Sequence, residues 1–347
     1  VAACRCVEFT SPGSVRVVEE PRPRPGRGEV LVATQVSAIS AGTELLVYRG
    51  DAPMGEPLDE TLESLAGSFG WPVRYGYAAV GVVVDAAGSV PPELVGKSVF
   101  AFQPHRSHFV MLPDRLVPLP PGLDPAAGSL LPTMETALGL VMDARPVAGE
   151  RVVVFGQGVV GLLVTAVLAT MPLAALVAVD PIPARREAAL ELGAAAALDP
   201  GDEGALRDAL GPDGADVAIE VSGRPAGLDG AIRATGREGR VIVGSWYGDR
   251  PVAVDLGTRF HRGRIRILSS QVSRLAPELG ARWSKPRRLS FALELLRRIP
   301  VERLITHRIP IEEAPSAYRL LDEAPETALQ VLLTYGTGDD GACTASA

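Results

Sequence analysis

The sequence predicts an α/β protein in which a doubly wound parallel sheet lies between two stretches of short strands and turns. Three observations carry this. Between 151 and 272, six apolar runs of strand length alternate with segments of helical spacing, the pattern that a parallel sheet with crossover helices requires. The first run enters a glycine-rich turn, and the second closes on an acidic residue. The flanking segments have a different texture, with partly alternating strands broken by Pro and Gly. A chain of 347 residues has room for two domains.

Taken in order, strands are expected over 15–18 and 29–37, joined by the connector PRPRPGRG. The acidic start and helical spacing of 59–65 predict a short helix. Further strands fall over 77–84 and 97–102, and the four prolines of 116–125 mark a linker. The parallel-sheet strands are 151–155, 176–180, 195–199, 216–222, 240–246 and 265–272. Their crossover helices start near 158 and span 184–192, 203–210 and about 226–235. After them come a basic helix over 287–298, read as a solvated face, a strand at 306–310, a helix at 312–322 and a strand at 328–334. The tail, 337–347, has no apolar pattern and is expected to be disordered.

Composition excludes several classes. A formal charge of −7 argues against a nucleic-acid partner, which would call for a basic stripe. The three cysteines, Cys4, Cys6 and Cys343, make neither a disulfide framework nor a four-cysteine zinc lobe. Residues 159–179 carry no charge over 21 positions, but Pro172 interrupts them and Asp180 ends them. A buried helix followed by a buried strand accounts for the run better than a membrane span. The first residues, VAACRCVEF, lack the basic-then-apolar pattern of a signal peptide, so a cytoplasmic protein is expected.

The glycine-rich turn reads Gly156-Gln157-Gly158-Val159-Val160-Gly161. In such a G-x-G-x-x-G turn the first glycine allows the tight turn, the second lets a pyrophosphate approach the backbone, and the third lets helix and strand pack closely. Asp180 lies 24 residues beyond Gly156, near the spacing of a carboxylate that bonds an adenosine ribose. A carboxylate there accepts from the 2′-hydroxyl and repels a 2′-phosphate, which favours NAD over NADP. Arg185 and Arg186 are placed to stack on adenine or to offset that repulsion in part.

Together with this turn, the segments ISAGTELLVYRG, RYGYAAVGVVVDAAG, LVPLPPGL and LITHRIPIEEAPSAYRLL resemble the medium-chain dehydrogenase/reductase superfamily over nearly the whole chain. GYAAVG, FAFQPHRSHFV, GSWYGDRPV and SSQV are most similar to its bacteriochlorophyllide dehydrogenase-like group. The resemblance implies a GroES-like, mainly β catalytic domain from 1–124 and 283–336, with a Rossmann NAD-binding domain inserted over 125–282. It also implies an active site between them and assembly as a homodimer or homotetramer.

Zinc-dependent members carry a cysteine where this chain has Ser40 or Ala41, and a His-Glu pair where it has Tyr77-Ala78. Their third ligand falls within 132–135. None of the cysteine or His-Glu identities is kept here, so neither a catalytic nor a structural zinc is expected. A substitute set of His105, His108 and Glu135 has no recognisable ligand spacing. Without zinc, a positioned acid or base must move the carbinol proton. Tyr77 stands at a vacated ligand position. Thr43 matches a hydroxyl that relays protons in zinc-dependent relatives, although Leu46 replaces their relay histidine. His105 and His108 lie on a segment that the resemblance places at the cleft, and imidazole suits proton transfer; Glu44 and Glu135 are further acids. Ser222, Gly244, Trp246 and Gln271 join the expected cofactor contacts, with Gln271 toward the carboxamide. Ser40, Tyr77, Trp246 and Tyr247 are expected to meet substrate, with Phe69 and Trp71 in a cap over 51–75. His307 is read as structural.

The function these readings favour is a zinc-independent, NAD-dependent oxidoreductase acting on a secondary alcohol or ketone of a larger metabolite. A tetrapyrrole side chain, a sugar or cyclitol, and a natural-product intermediate all fit. Two other readings stay open: a zinc-free NADPH enoyl or quinone reductase, and a non-catalytic NAD-binding sensor.

Overall fold

A computed structural model describes residues 3–336; the expected disordered tail and Cys343 lie outside the described residues. The chain opens with an antiparallel hairpin, β1 (Ala3–Ser11) and β2 (Ser14–Pro21). β3 (Val30–Ala38) follows, then a helix, α1 (Ala41–Arg49), and three strands: β4 (Ala79–Ala86), β5 (Ser98–Ala101) and β6 (His108–Met111). A two-residue strand, β7 (Val117–Pro118), and a single turn, α2 (Pro125–Gly128), lead into α3 (Leu131–Ala144). The α/β region then runs β8 (Arg151–Phe155), α4 (Val159–Leu168), β9 (Ala175–Val179), α5 (Pro183–Glu191), β10 (Ala196–Leu198) and α6 (Glu203–Leu210). It continues through β11 (Ala215–Glu220), α7 (Pro225–Ala234), β12 (Thr235–Val243), the short α8 (His261–Gly263) and β13 (Arg266–Ser269). The chain closes with α9 (Lys285–Arg298), β14 (Ile305–Pro310), α10 (Ala314–Glu323) and β15 (Gln330–Thr334).

Six of these strands pair in parallel in the order β10-β9-β8-β11-β12-β13. The order reverses beside β8, and a doubly wound sheet opens its ligand crevice at the carboxyl ends of the strands at such a point. The second sheet takes strands from both ends of the chain: β14-β15-β3-β4-β5-β7, with β6 also paired to β3. β15 adds antiparallel to β3, so the C-terminal segment completes the N-terminal sheet. One buried apolar cluster joins the halves, reaching from Val80 and Phe100 through Leu130 and Met134 to Val152 and Leu162. The uncharged run divides into α4, a turn at Pro172 and β9; among the described residues no helix is long and apolar enough to cross a membrane.

Some elements differ from their sequence expectation. The helix expected over 59–65 shrinks to one 3-10 turn, Glu63–Leu65, because the Asp59 side chain accepts from the Thr61 and Leu62 N–H groups and makes a turn there. Helices α1 and α3 and strands β1 and β6 had no clear sequence signal. α3 is buried over most of its length, so it lacks the polar face that reveals a surface helix.

Candidate active site

The two sheets face each other across a cleft of about 1450 Å³. On the parallel-sheet side, β8 enters the glycine turn. Gly156 has φ +92°, and a Cβ there would sit 2.5 Å from Ser222 Cα; a Cβ at Gly161 would sit 1.8 Å from the Gly156 carbonyl oxygen. Only glycine lets the turn and α4 pack this closely. Nothing lies within 4 Å of the Cβ direction of Gly158, which leaves open space where the helix N-terminus faces the cleft. At the end of β9, Asp180 is 3% exposed; its carboxylate accepts from Gln157 N–H at 2.7 Å and from Ile182 N–H at 2.9 Å. Those bonds fix it at the cleft edge with lone pairs to spare. At the end of β11, buried Glu220 accepts from Ser222 N–H (2.7 Å), Ser222 Oγ–H (2.5 Å) and Tyr247 O–H (2.5 Å).

The opposite wall presents hydroxyls. Tyr77, just before β4, donates to Ser40 Oγ at 2.6 Å and lies 3.2 Å from Thr43 Oγ1. A phenol has one proton, so the longer contact has Thr43 donating to Tyr77. Ser40 precedes α1 and is 3.5 Å from Thr43, which leaves its own proton able to turn toward a ligand oxygen. All three residues line the cleft. Burial raises the Tyr77 pKa above its ordinary 10.0, against the opposing pull of the Ser40 and Thr43 bonds. Phe69, Tyr75 and Trp246 add an aromatic wall, with Phe69 and Trp246 centroids 5.8 Å apart.

Behind the hydroxyls lies a buried polar chain. Glu44, fully buried on α1, accepts from Ser40 N–H at 2.7 Å, from Tyr318 O–H at 2.6 Å and from His105 Nε2 at 2.9 Å. A carboxylate only accepts, so Nε2 carries the His105 proton; Nδ1 then accepts from Ser37 (2.6 Å), which accepts from Tyr335 (2.7 Å). Aromatic packing aims Tyr318, which stacks on Tyr48 at 5.8 Å and meets Phe9 edge-on at 5.0 Å. The backbone passes directly over the imidazole at Gly76, where φ is +113° and a Cβ would meet His105 at 2.7 Å.

Several expected residues do line the cleft: Ser40, Thr43, Tyr77, Gly156, Gly158, Val159, Val160, Asp180, Arg185, Ser222, Gly244, Trp246 and Gln271. Others require correction. His105 is fully buried, with both ring nitrogens bonded to Ser37 and Glu44, and does not reach the cleft surface. His108, the first residue of β6, bonds Ser107 and is not among the residues that line the cleft. Glu135 reaches the cleft, but Arg288 binds it from Nε at 3.1 Å and Nη2 at 2.8 Å. Burial raises the Glu135 pKa, with Arg288 and then Lys285 opposing. Arg288 is itself 1% exposed and also donates to the Val272 carbonyl, so the helix expected to be solvated has a buried, paired face against α3. Tyr247 turns its hydroxyl onto Glu220 and does not line the cleft, whereas Trp246 does; burial and the Glu220 charge raise the Tyr247 pKa. Trp71 packs into the N-terminal core, whereas Phe69 faces the cleft. Arg186 donates to the Asp180 and Pro181 carbonyls, and Arg185 to that of Pro325. His307 lies on β14 beside Thr306, away from the cleft. Lys285, Ser37 and Tyr335 had no sequence signal, since none belongs to a local motif, and Tyr318 lies in a segment that resembles the family without marking a site residue. Among the described residues no group of three His, Cys, Asp or Glu side chains is placed to hold a metal ion.

Residues 159–284 match the family model for zinc-binding dehydrogenase. The D-guloside 3-dehydrogenase of Escherichia coli (strain K12) is 25% identical over 331 residues, covering 88% of this chain and 93% of that protein. The (R,R)-butanediol dehydrogenase of Bacillus subtilis (strain 168) is 30% identical over 264 residues, 66% of this chain and 73% of that one. Among solved structures, a short chain alcohol dehydrogenase from E. coli CFT073 complexed with cofactor NADH superposes with a TM-score of 0.76 at 19% identity, covering 96% of this chain and all of that one.

Proposed function

The chain belongs to the zinc-binding, medium-chain alcohol dehydrogenase family, and we propose that it moves hydride between NAD and a secondary alcohol or its ketone with no metal ion at the reacting oxygen. The observation that carries this reading is the hydrogen-bonded cluster of Tyr77, Ser40 and Thr43, in which Tyr77 and Ser40 stand at positions where the resemblance puts zinc ligands. Protonated hydroxyls are poor zinc donors beside thiolate and imidazole, and Glu135 is already engaged by Arg288. These side chains do not fit a catalytic zinc.

They do fit a dinucleotide. The turn from Gly156 to Val160 and the N-terminus of α4 would hold its pyrophosphate, and Asp180 its adenosine ribose. The fixed Asp180 carboxylate favours NAD over NADP, and Arg185 is drawn toward the Pro325 carbonyl. Bound NAD supplies the hydride acceptor for alcohol oxidation and, once reduced, the hydride donor for the reverse.

The proton path belongs to the chain's own side chains. In ketone reduction Ser40 gives its proton to the oxygen that gains charge, Tyr77 restores the Ser40 proton, and Thr43 restores that of Tyr77. Solvent in the cleft restores Thr43, and oxidation reverses every transfer. Glu44 fixes the Ser40 backbone and is a positioning residue. Because the Tyr77 pKa is raised, the phenol stays protonated above its ordinary range and is in the form that ketone reduction needs. The aromatic wall of Phe69, Tyr75 and Trp246 beside the hydroxyls suits a metabolite larger than a simple alcohol. The names of the relatives favour a sugar or polyol over a tetrapyrrole.

Following NADH formation on a panel of glycosides, polyols and sugar acids tests the reading. Oxidation of at least one class is expected, with a rate that climbs as pH rises toward 10; NADH binding with no turnover of any carbinol or ketone would support the sensor reading.

A further inference from the structure

Lys285, the first residue of α9, is half-buried and lines the cleft. Its ammonium lies 5.1 Å from the centroid of the Phe102 ring. Phe102 directly follows β5, and the β4–β5 register pairs Ala79 with Ala101. Continuing that register by one residue brings Phe102 opposite Ala78, next to Tyr77. The lysine therefore stands over the wall that carries the hydroxyl cluster.

The ammonium makes no direct ion pair: among the described residues no carboxylate lies within 4.0 Å of it, and Glu135 acts on it only from farther off. The nearby Glu135 carboxylate is taken by the Arg288 guanidinium. On the same side of the cleft Arg49 is engaged by Asp322 at 2.6 Å, and Arg250 faces Asp51 at 3.9 Å; Arg207 and Arg224 also line the cleft, from the parallel-sheet segments. Glu135, Arg288 and Lys285 together leave one positive charge on a half-buried wall. A poorly hydrated ammonium on an aromatic face favours an incoming anion, because the charge-assisted bond forms where little water competes.

We propose that Lys285 binds a carboxylate of the substrate, so that the alcohol oxidised here is a hydroxy acid; this rests on the dehydrogenase reading above. A carboxylate fits better than a phosphate dianion, since the other donors on this wall are the neutral hydroxyls of Ser40, Thr43 and Tyr77. With the acid end held at Lys285, the carbinol is directed toward Ser40. Lys285 then acts as a specificity residue that contacts substrate and leaves the proton path to the hydroxyls.

Steady-state kinetics on matched pairs test this, each a polyhydroxy or 3-hydroxy acid and its own methyl ester, with NADH affinity measured by fluorescence alongside. The wild type should prefer the acid over its ester by about tenfold or more in kcat/KM. Lys285→Met should erase that preference mainly through the KM of the acid, with NADH affinity retained, and Lys285→Arg should keep most of it. Esters used as well as acids by the wild type would overturn the carboxylate site and leave the dehydrogenase reading standing. A Lys285→Met variant that loses NADH affinity, or loses acid and ester turnover alike, would also overturn it and assign the lysine to the cofactor or the fold. No turnover of either partner by the wild type would refute the dehydrogenase reading and the carboxylate site with it.

Discussion

On the parallel-sheet wall of the cleft, the groups that face a ligand are the backbone of the glycine turn and the Asp180 carboxylate at the end of β9. On the opposite wall they are three hydroxyls from two separated segments, backed by buried side chains as far apart in sequence as Ser37 and Tyr335. The first wall is set by local backbone geometry: Gly156 and Gly161 close on each other within six residues, and Asp180 is locked by neighbouring N–H groups. The second is set by convergence, since Ser40 is held by Glu44, Glu44 by Tyr318 and His105, and His105 by Ser37. A wall of the first kind should lose one function when altered. A wall of the second kind should transmit a change through its network.

The largest expected effect is on the hydroxyl wall. Ser40→Ala and Tyr77→Phe should each lower kcat by about a hundredfold or more, the usual worth of positioned acid–base groups. NADH affinity should stay within about twofold, because the cofactor contacts lie on the other wall. Loss of NADH affinity in either variant would break the division between the walls. Next comes Gly161→Ala, whose added carbon meets the Gly156 carbonyl; overpacking by about 1–3 kcal/mol should weaken NADH binding roughly ten- to a hundredfold in a fluorescence titration. A smaller effect belongs to Asp180→Ser, which should narrow the preference for NADH over NADPH by about tenfold. An unchanged ratio would remove Asp180 from cofactor choice.

The same contrast explains what the amino-acid sequence made legible. The glycine turn, Asp180 and the alternation of strands with helices could be read directly, because each depends on residues close together in the chain. Ser40, Thr43 and Tyr77 were located only through a family resemblance; their meeting depends on how the segment before β4 lies against α1. His105 was expected at the cleft because the resemblance places its segment there, but its position over β3 and under Gly76 seals it inside. Arg288 was read as solvated because a basic run on a helix is usually a solvated face; the helix that buries it, α3, had no clear sequence signal. Lys285 gave no local signal at all; its place follows from the packing of α9 over Phe102.

The central claim is that protonated hydroxyls, with no metal ion, serve the reacting oxygen. It is tested most directly by measuring zinc content and turnover together, on protein purified without added metal and then dialysed against a strong chelator. The account predicts far less than one zinc per chain and turnover unchanged by the chelator. About one zinc per chain, with activity lost on its removal and restored on its return, would contradict it.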